Sequence, residues 1–295
     1  MEKIYAFLGR ISAKMKGNRF TNWLRSVILK IGLFDLIKKL IVSMSCIFPT
    51  KEMKQKAINE RQFFSEHARE LKEAYDSLED ERSRAVFENI LKFRATGKGK
   101  FLKKSCNKVT WKNQYLVPEL EFSDSEVIVD CGAFIGDTAE IFYKEIPGCR
   151  VISLEPDENN FESLQKLGLP GLKCIKAGAW SEDTTLSFDD NGRSDSGKVS
   201  DSGSTKIEVK ALNNLPECRS ATYIKMDIEG AELAALKGAE KIIRENRPKL
   251  AVCLYHNPQD LFEIPLYIKE LDPDYKLFVY HHSVFGHTET VLYAV

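Results

Sequence analysis

The sequence lacks several features that would point to a particular class of protein. Its 43 lysines and arginines balance 43 aspartates and glutamates, so the overall charge does not favour nucleic acid as a partner. Its seven cysteines include no C-x-x-C pair, the usual spacing of zinc and thioredoxin sites. An odd number of cysteines and no signal peptide are typical of the reducing cytoplasm. We therefore expect a cytoplasmic protein with no nucleic-acid partner.

Long apolar runs are also missing. The most apolar stretch, residues 31–48, is interrupted by Asp35, Lys38 and Lys39, whereas a membrane span needs about 20 mostly apolar residues. Residues 1–50 nevertheless carry nine lysines or arginines, and apolar side chains lie between these charges. Residues 1–56 are therefore predicted to form a basic amphipathic helical arm. We expect the arm to pack on the protein's own body or on a second subunit of a homo-oligomer. The alternative is peripheral contact with the anionic inner face of the membrane.

Residues 57–120 are predicted to form a helical lead-in or cap. Apolar residues recur there at alternating spacings of four and three, which places them on one helical face. These residues are Phe64, Ala68, Leu71, Tyr75 and Leu78. A second helix is predicted to end near Gly97. No pattern in this segment points to chemistry, so we expect it to support the core.

From residue 121 to residue 295, strand-like runs alternate with helical patterns. The predicted strands are residues 127–129, 151–154, 172–175, 222–226, 250–254, 275–280 and 290–294. Alternation of strands and helices predicts a mostly parallel sheet covered on both faces. The last two runs have no helix between them and should pair as an antiparallel hairpin. A polar stretch at 183–209, with a strand-like run at each end, is predicted to be either a hairpin near the sheet or a surface loop.

A glycine turn follows the first of these strands. The strand ends in Asp130, and the chain turns through Gly132 and Gly136 into a helix. In open α/β sheets the ligand lies beyond the carboxyl ends of the strands, and glycines let it approach the backbone. The next strand ends in Glu155, whose carboxylate can accept hydrogen bonds from both ribose hydroxyls of an adenosine. A turn without any ligand is the alternative.

Two features disfavour a dinucleotide at this turn. The spacing is D-x-G-x-x-x-G and not G-x-G-x-x-G, so the pyrophosphate fingerprint is absent. Asp130 would repel a pyrophosphate, whereas its charge suits the ammonium of a methionine moiety.

An acidic cluster follows the fourth predicted strand. Asp227, Glu229 and Glu232 lie within six residues, directly after Lys225. Capping of the next helix explains one of these acids readily, but it explains three together with Lys225 less well. The cluster therefore indicates a functional site at the same edge of the sheet.

Four motifs together resemble the FkbM family of methyltransferases. They are VDCGAFIGDT at 129–138, LEPD at 154–157, AGAW at 177–180 and IKMDIEGAE at 224–232. The resemblance implies a Rossmann-like methyltransferase fold of class α/β, a doubly wound sheet of seven strands that ends in the antiparallel hairpin. Here an α-helical N-terminal region would precede that sheet. It also implies S-adenosylmethionine as the methyl donor and O-methylation, often of sugar or polyketide hydroxyls.

The resemblance also implies which residues would bind the cofactor. Asp130, Gly132 and Gly136 would border its methionine end, Glu155 its ribose and Asp227 its sulfonium, with Ala179 and Trp180 near the adenine. The full predicted set is Asp130, Gly132, Phe134, Gly136, Glu155, Pro156, Ala179, Trp180 and Asp227.

The predicted catalytic residues are His256, Asp227 and Glu229. An acceptor hydroxyl must lose its proton near the transition state, and His256 at the end of the fifth strand is the first candidate for the base. A structural histidine bonded to a loop is the alternative. No metal is assigned, although Asp227, Glu229 and His256 offer an alternative as ligands of a divalent cation.

The sequence thus predicts an S-adenosylmethionine-dependent O-methyltransferase whose small-molecule or glycan acceptor is a hydroxyl of a sugar, glycan or glycolipid. Two alternatives remain open at this stage. One is a nicotinamide-dependent sugar-modifying enzyme, and the other is a catalytically degenerate scaffold with the same fold.

Overall fold

The computed structural model describes residues 51–106, 113–189, 198–199, 205–283 and 288–295. Most of the predicted basic arm therefore lies outside the described residues, and so does His287. Within the described ranges, no helix is both long enough and apolar enough to cross a lipid bilayer.

Within the described residues, four α-helices precede the sheet. They are α1 (Lys51–Glu66), α2 (Ala68–Asp76), α3 (Glu81–Thr96) and α4 (Lys100–Ser105). The Asp80 side chain caps α3 by accepting a hydrogen bond from Ser83 N at 2.6 Å. Gly97, at φ 67°, ends α3 in the left-handed conformation, as its sequence position predicts.

The apolar stripe predicted at 64–78 is divided between α1 and α2, which meet at His67. Phe64, Leu71 and Leu78 are buried, as the spacing predicts. The placement of Ala68 in the stripe is wrong, because this residue is exposed and Ala74 is buried in its place. The change of helix axis at His67 shifts the buried face.

The main sheet has seven strands in the order β10-β11-β9-β8-β1-β2-β3. These strands are β1 (Val127–Cys131), β2 (Arg150–Leu154), β3 (Lys173–Ile175), β8 (Tyr223–Met226), β9 (Lys249–Cys253), β10 (Leu277–His281) and β11 (Thr290–Ala294). β11 is antiparallel to both of its neighbours, and the other pairs are parallel. The predicted seven-strand sheet with its antiparallel C-terminal hairpin is confirmed.

The helices of this domain cover both faces of the sheet. They are α5 (Asp137–Glu145), α6 (Glu158–Gln165), α7 (Glu232–Gly238), α8 (Glu240–Asn246) and α9 (Asp260–Leu271). Successive side chains of β1 point to opposite faces, so Val127 and Val129 join one core cluster and Ile128 the other. The apolar residues Leu233, Leu236, Ala239 and Ile243 in the sequence predict one helix after β8, but the chain leaves helical geometry at Ala239 and forms α7 and α8 instead.

A second, smaller sheet lies between β3 and β8 in sequence. Its strands β4 (Gly178–Ala179), β5 (Thr184–Asp189), β6 (Lys198–Val199) and β7 (Thr205–Lys210) are arranged in the order β4-β7-β5-β6. The runs that bound the polar stretch are thus antiparallel strands, β5 and β7. The pairing of its two ends is that of a hairpin, as one of the two interpretations predicts, whereas residues 190–197 and 200–204 between them lie outside the described residues.

The helical lead-in covers the edge strand β10. Glu79 N donates to Leu277 O at 2.8 Å, and the buried Ser83 hydroxyl accepts from Val279 N at 3.0 Å. Cys106, after α4, forms an isolated bridge with His281 at the other end of the strand. An uncovered edge would leave backbone groups unpaired, so the lead-in completes the sheet.

Replacing Ser83 should test this contact. Ser83→Ala leaves Val279 N–H buried without its acceptor, and we expect the free energy of unfolding to fall by about 1–3 kcal/mol. Chemical denaturation measures the loss. Ser65→Ala, on the exposed side of α1, is the matched control and should change stability by less than about 0.5 kcal/mol. Equal losses in the two variants would contradict the role given to Ser83.

Candidate functional site

The predicted site residues come together at the carboxyl edge of the main sheet, where β1, β2, β8 and β9 end. The glycine turn lies at the centre. Gly132 N and Ala133 N both donate to Leu154 O at 3.1 Å, which fixes the turn against the end of β2. The turn, Glu155 and Asp227 are therefore held by one frame of backbone hydrogen bonds.

Contacts within the protein require both glycines of the turn. Gly132 has φ 77°, and a Cβ atom there would lie 2.0 Å from Asp227 O. Gly136 has φ 91°, and a Cβ atom there would lie 2.3 Å from Leu167 Cδ1. Sequence analysis assigned the glycines to ligand approach. The structure adds that they let the turn pack against the ends of β8 and α6.

Asp130 is buried beside Lys225 on the neighbouring strand. Their Cα atoms are partners in the parallel register of β1 and β8, and Lys225 Nζ lies 2.9 Å from Asp130 Oδ1. Lys225 Nζ also donates to Gly132 O at 2.7 Å. Burial favours the neutral amine, but the charges of Asp130 and Asp227 outweigh it and raise the pKa of Lys225. Asp130 thus forms an ion pair with Lys225, and Lys225 in turn supports the glycine turn through its hydrogen bond to Gly132 O.

Glu155 joins the glycine turn to the start of α6. Its Oε2 atom accepts from Phe134 N at 2.9 Å, and its Oε1 atom accepts from Asp157 N at 3.0 Å. Burial raises the pKa of this carboxyl group, and the backbone hydrogen bonds oppose that rise. A carboxylate beside the turn is the group that the predicted ribose contact needs.

The part of the site that faces the second sheet contains Pro156, Ala179 and Trp180. A Cβ atom on Gly178, just before Ala179, would lie 3.9 Å from Pro156 Cβ, so β4 runs beside the end of β2. Ala179 is buried and Trp180 is partly buried among the side chains of the second sheet. The structure brings the LEPD and AGAW motifs together, as the predicted adenine contact requires.

Asp227, at the end of β8, accepts hydrogen bonds from two tyrosine hydroxyls. Tyr115 Oη donates to Oδ2 at 2.9 Å, and Tyr255 Oη donates to Oδ1 at 2.7 Å. Burial alone would raise the pKa of Asp227, but Lys225, His256 and these hydrogen bonds lower it. Tyr115 belongs to the lead-in, where sequence analysis found no chemistry. That expectation is wrong for this residue.

His256 lies among three carboxylates. Its Nε2 atom is 3.5 Å from Asp227 Oδ1 and 3.6 Å from Glu229 Oε2, and its Nδ1 atom is 2.9 Å from Glu232 Oε1. Burial lowers the pKa of His256, but close contact with Glu232 and the charges of Asp227 and Glu229 raise it to about 9. His256 is therefore a cation at neutral pH, and it must lose a proton before it can act as a base.

The hairpin between β10 and β11 adds a residue that sequence analysis missed. Glu289, at φ 65°, is close enough for its charge to act on Asp227. Burial and that charge raise the pKa of Glu289, while a hydrogen bond with the Gln114 side chain opposes the rise. No motif marks Glu289, Gln114 or Tyr255. The sequence did mark Lys225 and Glu232, because both lie within the IKMDIEGAE motif at 224–232. Lys225 is a charged residue inside a strand, and Glu232 is an acid at the start of a helix.

Three side chains at this edge could hold a metal ion. Asp227, Glu232 and His256 each place one potential ligand atom within 4.8 Å of the other two. The alternative set considered from the sequence contained Glu229 where the geometry has Glu232.

Disrupting the buried ion pair should destabilise the fold. Lys225→Met leaves Asp130 charged and unpaired, and we expect a loss of about 3–5 kcal/mol in the free energy of unfolding. Asp130→Ala would likewise leave Lys225 buried without its partner. A loss of cofactor binding in that variant would therefore combine the effect on the site with the effect on stability. Urea denaturation gives the measurement. Lys173→Met, which removes the exposed pair with Glu217, is the control and should lose about 0–1 kcal/mol.

The double variant Lys225→Met/Asp130→Leu removes both charges together. It should be more stable than Lys225→Met alone, because apolar residues can replace a buried pair at little cost. If the double variant is no more stable than the single one, the loss does not come from an unpaired charge.

Comparison with known proteins agrees with this geometry. Residues 130–276 match the family model described as the methyltransferase FkbM domain. The crystal structure of methyltransferase FkbM from Methylobacillus flagellatus KT is 28% identical, with a TM-score of 0.68, over 79% of this chain and 60% of that chain. The chain thus spans about 60% of the length of that relative. No curated protein matches the sequence.

Other solved structures share less with this chain. Aeropyrum pernix fibrillarin, in complex with natively bound S-adenosyl-L-methionine, is 13% identical with a TM-score of 0.39 over 60% of this chain and 70% of that chain. Precorrin-6y C5,15-methyltransferase from Geobacter metallireducens GS-15 is 12% identical with a TM-score of 0.39 over 60% and 83%.

The family model begins at Asp130, the residue that starts the glycine turn, and it extends beyond His256 to residue 276. It therefore contains the turn, Glu155, the acidic cluster and His256. Since the motifs, the order of the strands and the match to the M. flagellatus structure agree, this chain carries a methyltransferase FkbM domain.

Proposed function

We propose that this methyltransferase uses S-adenosylmethionine and transfers its methyl group to a hydroxyl of a sugar, glycan or glycolipid. The observation that carries the proposal is the convergence of Glu155, the Gly132 turn and Asp227 at one edge of the sheet. Each faces a different part of a bound adenosyl sulfonium.

The adenosine half is recognised by shape and hydrogen bonding. Glu155 is held at the turn by Phe134 N, and its two oxygens can accept from the two ribose hydroxyls. The adenine would lie beyond Glu155, between Pro156 and the Ala179–Trp180 segment, where the two sheets approach each other. Apolar and aromatic surfaces of this type stack well on a planar base.

The charge of the site favours a cationic ligand. Asp227, Glu229, Glu232 and Glu289 lie around one edge, and Lys225 and His256 are the positive groups beside them. A sulfonium or an ammonium gains from such a field, whereas a pyrophosphate is repelled. This supports S-adenosylmethionine over a nicotinamide dinucleotide.

The acceptor would approach Asp227 from the side of Tyr115, Tyr255 and His256. Methyl transfer is an in-line displacement in which the hydroxyl oxygen attacks the methyl carbon, the bond to sulfur breaks and the hydroxyl proton leaves. Asp227 and Glu229 are candidates that can receive this proton directly, whereas His256 can receive it only in its neutral form. Hydroxyl and carboxylate groups suit a sugar, which offers several hydroxyls of its own, and the family resemblance points the same way.

Cofactor binding can be tested without a known acceptor. Isothermal titration calorimetry with S-adenosylhomocysteine should show one site per chain. Glu155→Gln removes a charged acceptor of the ribose hydroxyls, so we expect its Kd to rise roughly tenfold to a hundredfold, or about 1.5–3 kcal/mol.

Glu158→Gln is the matched control, because this exposed glutamate is the first residue of α6 and its replacement should leave the Kd unchanged. Failure of the wild-type chain to bind S-adenosylhomocysteine would rule out the proposed cofactor. Equal weakening by the two substitutions would remove Glu155 from the ribose site.

A further inference from the structure

The cluster around His256 has more negative than positive charge. Oxygen atoms of Asp227, Glu229 and Glu232 lie 2.9–3.6 Å from its ring nitrogens, so three carboxylates share one imidazole. The side chain of His256 is 8% exposed and that of Glu232 is fully buried. Buried carboxylates are costly unless they are paired or coordinate a metal.

The imidazole is close to these oxygens without being aligned to them. Neither ring nitrogen of His256 makes a hydrogen bond of acceptable geometry within the described part of the chain, although both are buried. The Oε2 atom of Glu232 likewise lacks a hydrogen-bond partner there. Donor and acceptor atoms thus converge on one region without satisfying one another.

The three candidate ligands lie at or just beyond the ends of regular elements. Asp227 follows β8, Glu232 is the first residue of α7, and His256 lies three residues after β9. Other groups orient two of them. Ile228 N donates to Glu232 Oε1 at 2.9 Å, and the hydroxyls of Tyr115 and Tyr255 donate to Asp227. Support of this kind from surrounding groups is typical of ligands that hold a metal.

We propose that Asp227, Glu232 and His256 bind one divalent cation of the Mn²⁺ type. One ligand atom from each residue lies within 4.8 Å of the other two, so a single ion can reach all three. Two carboxylates and one imidazole suit a first-row transition metal better than Mg²⁺, which prefers oxygen ligands. Three protein ligands leave further coordination positions for an oxygen of a bound molecule.

Glu232, and not Glu229, completes this site. Glu229 has φ 57° in the turn after β8, and its side chain is 37% exposed. Its Oε2 atom lies 3.6 Å from His256 Nε2, whereas Glu232 Oε1 lies 2.9 Å from His256 Nδ1. We therefore assign Glu229 to the rim of the site, where it contributes charge but no ligand atom.

The cation would determine which groups an acceptor must present to the site, and this inference about the acceptor rests on the proposed function. A metal ion lowers the pKa of a coordinated hydroxyl and fixes its position. Two neighbouring hydroxyls of a sugar can fill two coordination positions of one ion. An acceptor with a vicinal diol is the substrate class that such a site would favour.

Titration of the full-length, chelator-treated chain with Mn²⁺ tests the site directly. Electron paramagnetic resonance of the free ion should show one Mn²⁺ bound per chain. Glu232→Gln keeps the shape of the side chain and its acceptor for Ile228 N, and it should weaken binding by at least about tenfold. Asp227→Asn should weaken it similarly and provides a second variant if Glu232→Gln does not fold. Glu229→Gln is the control and should weaken binding much less.

Two results would overturn the metal site. One is the absence of Mn²⁺ binding to the wild-type chain, and the other is binding that Glu229→Gln abolishes while Glu232→Gln and Asp227→Asn preserve it. S-adenosylhomocysteine titration of the same samples separates the two proposals. Cofactor binding without Mn²⁺ binding rejects the metal alone, and Mn²⁺ binding without cofactor binding rejects the proposed function alone.

Discussion

Asp130 and Lys225 face each other on adjacent strands in the middle of the main sheet, both almost completely buried. Each charge is tolerable there because of the other, and the pair fixes much of what surrounds it. The ammonium of Lys225 also holds the carbonyl of Gly132, which ties the glycine turn to β8. Asp227 lies two residues after Lys225, where β8 ends at the edge of the site. The ion pair therefore helps to hold the turn, together with the hydrogen bonds from Gly132 N and Ala133 N to Leu154 O.

The helical lead-in contributes both to the sheet and to the site. Ser83 and the backbone of Glu79 satisfy donors and acceptors along β10, so the sheet does not present an open edge there. Tyr115, farther along the same segment, hydrogen-bonds to Asp227. A catalytic domain begun at residue 121 would lack both contacts. The unit that carries the site therefore extends well before the region that the family model matches.

The local pattern of the sequence predicted the parts of the fold that depend on neighbouring residues. The β-branched run at 127–129 and the absence of a helix between β10 and β11 were sufficient to predict the first strand and the hairpin. Contacts between distant segments left no such trace. Tyr115 and Asp227 are 112 positions apart, and no local pattern near either residue predicts their hydrogen bond. A close contact beside Ala239 is hidden in the same way, because a Cβ atom on Gly238, the last residue of α7, would lie 1.9 Å from Trp180 O. Periodicity within 233–243 could not reveal that contact.

The central claim is that the glycine turn, Glu155 and Asp227 form one site for an adenosyl sulfonium. A crystal structure of the chain with S-adenosylhomocysteine tests it most directly. The account predicts the ribose hydroxyls on the Glu155 carboxylate, the homocysteine part across the turn at Gly132 and the sulfur on the side of Asp227. A ligand bound elsewhere, or bound at this edge without contact to Glu155, would contradict it.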